Sequence, residues 1–248
     1  MSTLRNWLNE GPFTLALSSS FFGFYAHCGF ATAFQEQGFV PNKISGCSAG
    51  ALVGAGWASG LEPAQMSELL FSVKRDDFWD PWPGLGFLRG KKFLNFIRPH
   101  FKTSFHETKI PLEVCVLDIF KRQTAFLDSG PLPEAVVASC AVPLMFHPVR
   151  IGRRIYLDGG VLRKSGMRHE AQEERILCIF LESAKRQGAG EFNKATTQLG
   201  PQHRLLRLKG LPSVDPMSLK TGRDAYQIAY ARAHRAFDLP FAGQSLEA

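Results

Sequence analysis

The sequence predicts an α/β protein built on one mostly parallel sheet with helices on both faces. Three observations point there. Short apolar runs alternate with stretches of helical character along most of the chain. One run, RILCIFL at 175–181, is continuously apolar after its first residue, as expected of a strand covered on both faces. A G-x-S-x-G pentapeptide, Gly46 to Gly50, lies between a strand-like and a helix-like segment. The length of 248 residues suits one large domain, taken as 1–248, whose core needs neither disulfide nor metal.

The elements follow in order. FTLALSS, from Phe13, reads as a strand. Residues 21–37 have helical character and end at Gly38, a good C-cap. Lys43 to Ser45 is a short strand after Pro41. The Ala/Gly-rich stretch 48–59 predicts a closely packed helix stopped near Gly60, and Pro63 opens another helix through Ser72. The segment 74–106 mixes Trp, Phe, Pro and Gly with the basic pair Lys91 and Lys92. Strands are expected at 110–119 and 123–127 about a turn at Lys121 and Arg122, then a helix at 133–138. A further strand, 154–157, runs into Asp158-Gly159-Gly160. After the strand at 175–181, the polar stretch 182–203 reads as a loop or weak helix. Residues 225–237 carry apolar side chains at helical spacing.

Composition narrows the classes. Hydrophobic residues make up 45% and charged residues 21%, as in ordinary globular chains, while 21 Phe lift the aromatic share to 12%. The formal charge is +7, but the basic residues are scattered, so no nucleic-acid partner is expected. The five cysteines are isolated and show no metal-ligand spacing; they read as buried free thiols, with no metal and no cofactor expected. No run suits a signal peptide or a bilayer span. The expected location is cytoplasmic, with peripheral contact at the membrane.

The pentapeptide gives a candidate nucleophile, Ser48. On a strand–turn–helix elbow the hydroxyl is exposed at the sheet edge, flanking glycines let the backbone pass close to its neighbours, and the helix start faces developing negative charge. A hydroxyl needs a proton acceptor. None of the seven histidines stands in a distinctive setting, although His169 or His234 would serve a conventional Ser–Asp–His arrangement. Asp158 is the better candidate, because it closes a strand and is followed by two glycines, and catalytic groups gather at such strand ends. Its alternative is an Asp bonded to its own turn. As a base it needs partial desolvation, since an ordinary Asp titrates near 3.9.

Four segments together resemble the patatin-like phospholipase family: LALSSSFFGFYAHCGF (15–30), ISGCSAGALVGAG (44–56), VLDIFKRQTAFLDSG (116–130) and ASCAVPLMFHPVRIGRRIYLDGG (138–160). The likeness covers 13–182 and leaves 203–248 as a C-terminal strand and helix. It implies a three-layer α/β/α fold and a Ser–Asp dyad without histidine, with Ser48 as nucleophile and Asp158 as base. It also implies hydrolysis of lipid acyl esters, of phospholipase A or lipase type, through an acyl-serine intermediate. The partner expected is a lipid or acyl-ester substrate.

The chain departs from the family where the oxyanion of the intermediate would be held. Ser19, Ser20 and Phe21 stand in place of the usual glycine triplet, Gly23 at the usual Arg and Phe24 at the last glycine. The expectation is a rearranged loop with Gly23 in the special backbone conformation, and with Gly159 or Gly160 as further donors. Past Gly160 the usual Asn-x-Pro is missing as well. The alternative function is therefore a weak or inactive relative that binds acyl chains or membranes. Residues 78–101, with Trp79, Trp82, Phe87, Phe93 and Phe96 beside Lys91 and Lys92, form the candidate substrate or membrane-interface segment.

Overall fold

A computed structural model describes residues 2–168, 172–184 and 189–248. In chain order the elements are α1 (Leu4–Asn9), β1 (Thr14–Leu17), α2 (Phe24–Glu36), β2 (Lys43–Cys47), α3 (Ala49–Ser59) and α4 (Pro63–Phe71). Then come β3 (Gly86–Leu88), α5 (Lys91–Ile97), β4 (Leu112–Asp118), β5 (Gln123–Leu127), α6 (Leu132–Ser139), β6 (Leu144–Phe146), β7 (Val149–Ile151) and β8 (Arg154–Asp158). The chain ends with β9 (Ile176–Ser183), α7 (Ala189–Thr196), β10 (His203–Leu211), α8 (Gly222–Ala236) and β11 (Ser245–Glu247).

The main sheet runs β11-β10-β9-β1-β2-β4-β8-β7, with β5 also on β4. From β11 through β4 every pairing is parallel; β5, β7 and β8 join antiparallel. Alternation along the central strands sends side chains to two separate cores. Leu15, Leu17, Leu177 and Ile179 enter the large core shared with α2, α3, α6 and α8. Ala16, Ile176, Cys178 and Phe180 enter a smaller core closed by Phe192 and Ala195 of α7. Helices thus cover both faces, giving the expected three-layer α/β/α arrangement.

One register detail brings distant segments together. β4 pairs with β2 over Leu112–Cys115 and with β8 over Val116–Asp118. β5 overlaps both stretches, so it must occupy the opposite edge of β4. β2 and β8 therefore lie end to end along one edge, running toward each other. Cys47 stops opposite Cys115 and Asp158 stops opposite the next residue, Val116.

Several elements depart from expectation. The helix read from Phe21 starts at Phe24, because Phe22 has φ +52 and breaks the turn before it. The elbow helix starts at Ala49, after Ser48. α1 was not foreseen; it is six residues long, buries Leu4, Trp7 and Leu8, and is capped by the Thr3 hydroxyl on the Asn6 amide. The segment 74–106 contains α5 and a strand, β3, that pairs with β6 in a small parallel ribbon separate from the main sheet. Part of the polar stretch 182–203 is helical, as α7.

Candidate active site

Ser48 ends the run of β2 at the carboxyl edge, in the left-handed region at φ +52 and ψ −117. That conformation is unfavourable for a residue with a side chain. It persists because the surroundings fix it. The Ser48 amide donates to Ser139 Oγ at 2.8 Å, and Ser139 Oγ donates to the Cys115 carbonyl at 2.6 Å. The Ser48 carbonyl accepts from the Leu52 amide at 3.0 Å and from Cys140 Sγ at 3.3 Å. Both elbow glycines are sterically required: a Cβ on Gly50 would sit 2.2 Å from the Leu17 carbonyl oxygen, and one on Gly46 2.5 Å from the Ala51 Cα.

Asp158 is only 4% exposed. Its Oδ2 accepts from Ser48 Oγ at 2.7 Å and its Oδ1 accepts from the Gly160 amide at 2.7 Å. Its own amide donates to the Ala141 carbonyl at 3.0 Å, so the segment 139–141 holds both partners in place. Burial pushes the Asp158 carboxyl up to about 6, against the lowering effect of its two donors. Gly159 and Gly160 are again steric requirements, since a Cβ would meet the Cys115 carbonyl at 2.6 Å or Ser19 Oγ at 2.2 Å. Ser139, which lies in the S-x-A-x-P stretch Ser139 to Pro143, carries a positioning role that sequence reasoning did not assign.

The loop after β1 corrects the expectation for Gly23. Gly23 has an ordinary φ of −76, and Phe22 takes the left-handed conformation instead. Gly23 is needed for space: a Cβ there would lie 2.5 Å from Ser20 Cβ. The Phe22 ring is held among Phe21, Phe24 and Phe78, with centroids 5.0, 5.5 and 6.0 Å away. Ring packing thus supports a backbone shape that a glycine would adopt freely. His27, fully buried, donates from Nε2 to the Ser18 carbonyl at 2.8 Å and fixes the start of this loop. Burial pushes that imidazole down to about 4. Three of the amides considered as oxyanion donors are already engaged: Ser19 with the Lys164 carbonyl, Gly23 with the Ser20 carbonyl, and Gly160 with Asp158.

Two clefts meet at Ser48. One is almost wholly apolar and is walled by Phe22, Leu52, Phe78, Phe93, Met145 and Phe146. The other holds Asp158 and is more polar, reaching Lys164, Glu182, Ser183 and Asp215. Ser20, Phe21, Phe22 and Ser48 border both. The expected interface segment divides. Phe93 lines the apolar cleft, whereas Trp82 and Phe87 are exposed, and Trp79 packs on Phe87 and under Arg75. No histidine lines either cleft among the described residues. His234 bonds Glu36 on the outer helices, and His169 lies outside the described residues.

Comparison with known proteins agrees with this architecture. The model of the family described as patatin-like phospholipase matches residues 15–168. Uncharacterized NTE family proteins of Mycobacterium bovis and Mycobacterium tuberculosis are 32% identical over 152 residues, 60% of this chain and 42% of theirs. The match thus spans less than half the length of those relatives. The crystal structure of VipD from Legionella pneumophila shares the fold, with a TM-score of 0.59 at 13% identity, over 92% of this chain and 67% of that one. With the family model covering more than half of its length, this chain belongs to the patatin-like phospholipase family.

Proposed function

We propose that the chain is a lipid acyl hydrolase that cleaves carboxylic esters through a Ser48–Asp158 dyad. The observation that carries this reading is the 2.7 Å bond from Ser48 Oγ to a buried carboxylate, at the head of an apolar cleft suited to an acyl chain. At neutral pH an Asp raised to about 6 is still mostly ionised, yet more basic than usual. It accepts the Ser48 proton as Oγ attacks the ester carbonyl. The tetrahedral oxyanion faces the start of α3, where the Ala49 amide and the helix dipole favour negative charge, with the Ser20 amide as second donor. Protonated Asp158 then hands its proton to the departing alcohol, leaving an acyl-serine. Water, deprotonated by Asp158, cleaves that ester and restores the hydroxyl.

A second reading, an acyl-binding relative with little turnover, is favoured by the Phe22 backbone, which occupies its left-handed position at a cost in strain. A fluorophosphonate probe separates the two, because it labels only an activated serine. Labelling of the wild type but not of Ser48→Ala supports the hydrolase. An unlabelled wild type that still binds fatty acid supports the alternative.

A further inference from the structure

Solvent-exposed apolar side chains are distributed unevenly over this molecule. Among the described residues, most of the large ones follow the carboxyl ends of the parallel strands or ride on the β3–β6 ribbon, whereas Val40 and Leu239 precede strands and Phe120 sits in the β4–β5 turn. The densest group rides on the β3–β6 ribbon and the turn before it: Trp82, Leu85, Phe87 and Leu144 are 58%, 80%, 52% and 84% exposed. The ribbon is tied together by the Gly86–Leu144 pairing and by the Trp82 amide on the Phe87 carbonyl at 3.0 Å. The next residues on its second strand, Met145 and Phe146, line the apolar cleft. One short element therefore carries exposed apolar groups and part of the cleft wall.

Two further features set this ribbon apart. Leu144 is held at φ +67, a conformation disfavoured for any bulky side chain, and the structure spends that strain on a leucine facing water. The exposed charges from Pro81 to Lys92 are all cationic: Arg89, stacked 4.8 Å over Trp82, then Lys91 and Lys92. Nearby Asp80 is buried, its carboxylate turned onto the amides of Gly90 and Lys92. Exposed apolar tips, with an arginine stacked on the aromatic one and two exposed lysines following in sequence, suit the interface of an anionic lipid layer. A second copy of this chain would bring the same cations face to face.

We infer that the β3–β6 ribbon is a membrane-docking wedge. Leu144, Leu85, Trp82 and Phe87 enter an anionic bilayer surface, so that the apolar cleft opens toward the acyl chains. This inference rests on the hydrolase reading only for its purpose; the docking itself is measured without turnover.

The experiment uses the full chain carrying Ser48→Ala, so that vesicles stay intact, and compares co-sedimentation with phosphatidylcholine vesicles and with mixed phosphatidylcholine–phosphatidylglycerol vesicles. Binding is expected to favour the mixed vesicles and to weaken about tenfold for each of Leu144→Gly and Leu85→Ser, given the area each leucine would bury in lipid. Lys91→Glu with Lys92→Glu should abolish the preference for the anionic vesicles. Glycine suits the left-handed backbone, so Leu144→Gly should melt no lower than its parent, which excludes misfolding as the cause. Unchanged vesicle binding in both leucine variants would overturn the inference. So would lipid-free dimerisation abolished by Leu144→Gly, which would assign the face to a second copy. Turnover of a water-soluble short-chain ester, measured with Ser48 restored, is expected to be the same with and without Leu144→Gly. If no variant turns over that ester while docking behaves as described, the hydrolase reading fails alone.

Discussion

Two close approaches of backbone to backbone, made by the same means, serve different ends. Where α2 crosses α8, Gly29 lies so near that a Cβ would be 2.2 Å from the Tyr226 carbonyl oxygen, and Ala225, Ala229, Ala233 and Ala236 keep the facing helix slim. At the elbow, Gly50 lies just as near the Leu17 carbonyl oxygen. The helix pair has relaxed geometry and buries apolar area. The elbow holds a serine at φ +52 beside a carboxylate that is 4% exposed, both of which cost stability. Small residues at the first place stabilise the fold; at the second they make room for an arrangement that the fold must support.

If that division is right, substitutions in the dyad should remove activity without loss of fold. Ser48→Ala and Asp158→Asn are each expected to lower kcat for a p-nitrophenyl acyl ester by about 10⁴-fold or more, the scale seen when one member of such a unit is lost. The double variant should be no worse than the singles, because the two groups act together. Unimpaired turnover in either single variant would break the comparison at its base.

The helix pair should respond in the opposite way. Gly29→Ala forces backbone apart in a tightly packed crossing, at an expected cost of about 3 kcal/mol in denaturant unfolding. Activity per folded molecule should remain close to normal, measured below the melting transition. A stable Gly29→Ala protein with lost activity would show that the two regions are not separable.

Much of this was legible in the sequence because the signals are local. The elbow glycines and the strand–turn–helix order marked Ser48, and the paired glycines marked Asp158. The apolar residues at helical spacing over 225–237 marked α8. Their meeting was not legible from residue spacing, because it depends on β4 placing Cys115 and Val116 opposite two strands that arrive from opposite directions. The loop at Phe22 was misread for a related reason. A glycine usually signals a positive φ, but here Gly23 answers a need for space while aromatic contacts hold Phe22 in the strained conformation. Strands of three residues, such as β6 and β7, are too short for alternation to reveal.

A buried carboxylate leaves a signature in pH. The folded Asp158 titrates near 6, above its ordinary value near 3.8, so the folded state binds the proton more tightly than the unfolded chain. Its ionisation therefore removes stability as pH rises from about 4 through 6, and that loss is complete above pH 6. Asp158→Asn keeps an acceptor for the Gly160 amide and can donate to Ser48, without the charge. It should be more stable than the wild type at pH 8 by about 3 kcal/mol, with the gain shrinking toward pH 4. Catalysis runs the other way: kcat/KM should fall as pH drops below about 6, where the base is protonated. A flat stability difference across this range would mean that the carboxylate is not desolvated.

The smallest effect isolates the backbone strain itself. Ser48→Ala and Ser48→Gly both delete the hydroxyl and with it the bond to Asp158. They differ in whether φ +52 is comfortable: alanine keeps the penalty, whereas glycine does not. Glycine also gives the unfolded chain more freedom, which works against it. The net expectation is that Ser48→Gly is more stable than Ser48→Ala by about 1 kcal/mol, read from paired denaturant midpoints at equal slope. Equal midpoints would mean that the elbow relaxes once the side chain is gone. The hydrogen bonds through Ser139 and Cys140 would then be too weak to hold the turn, and the strain at the site would belong to the serine alone.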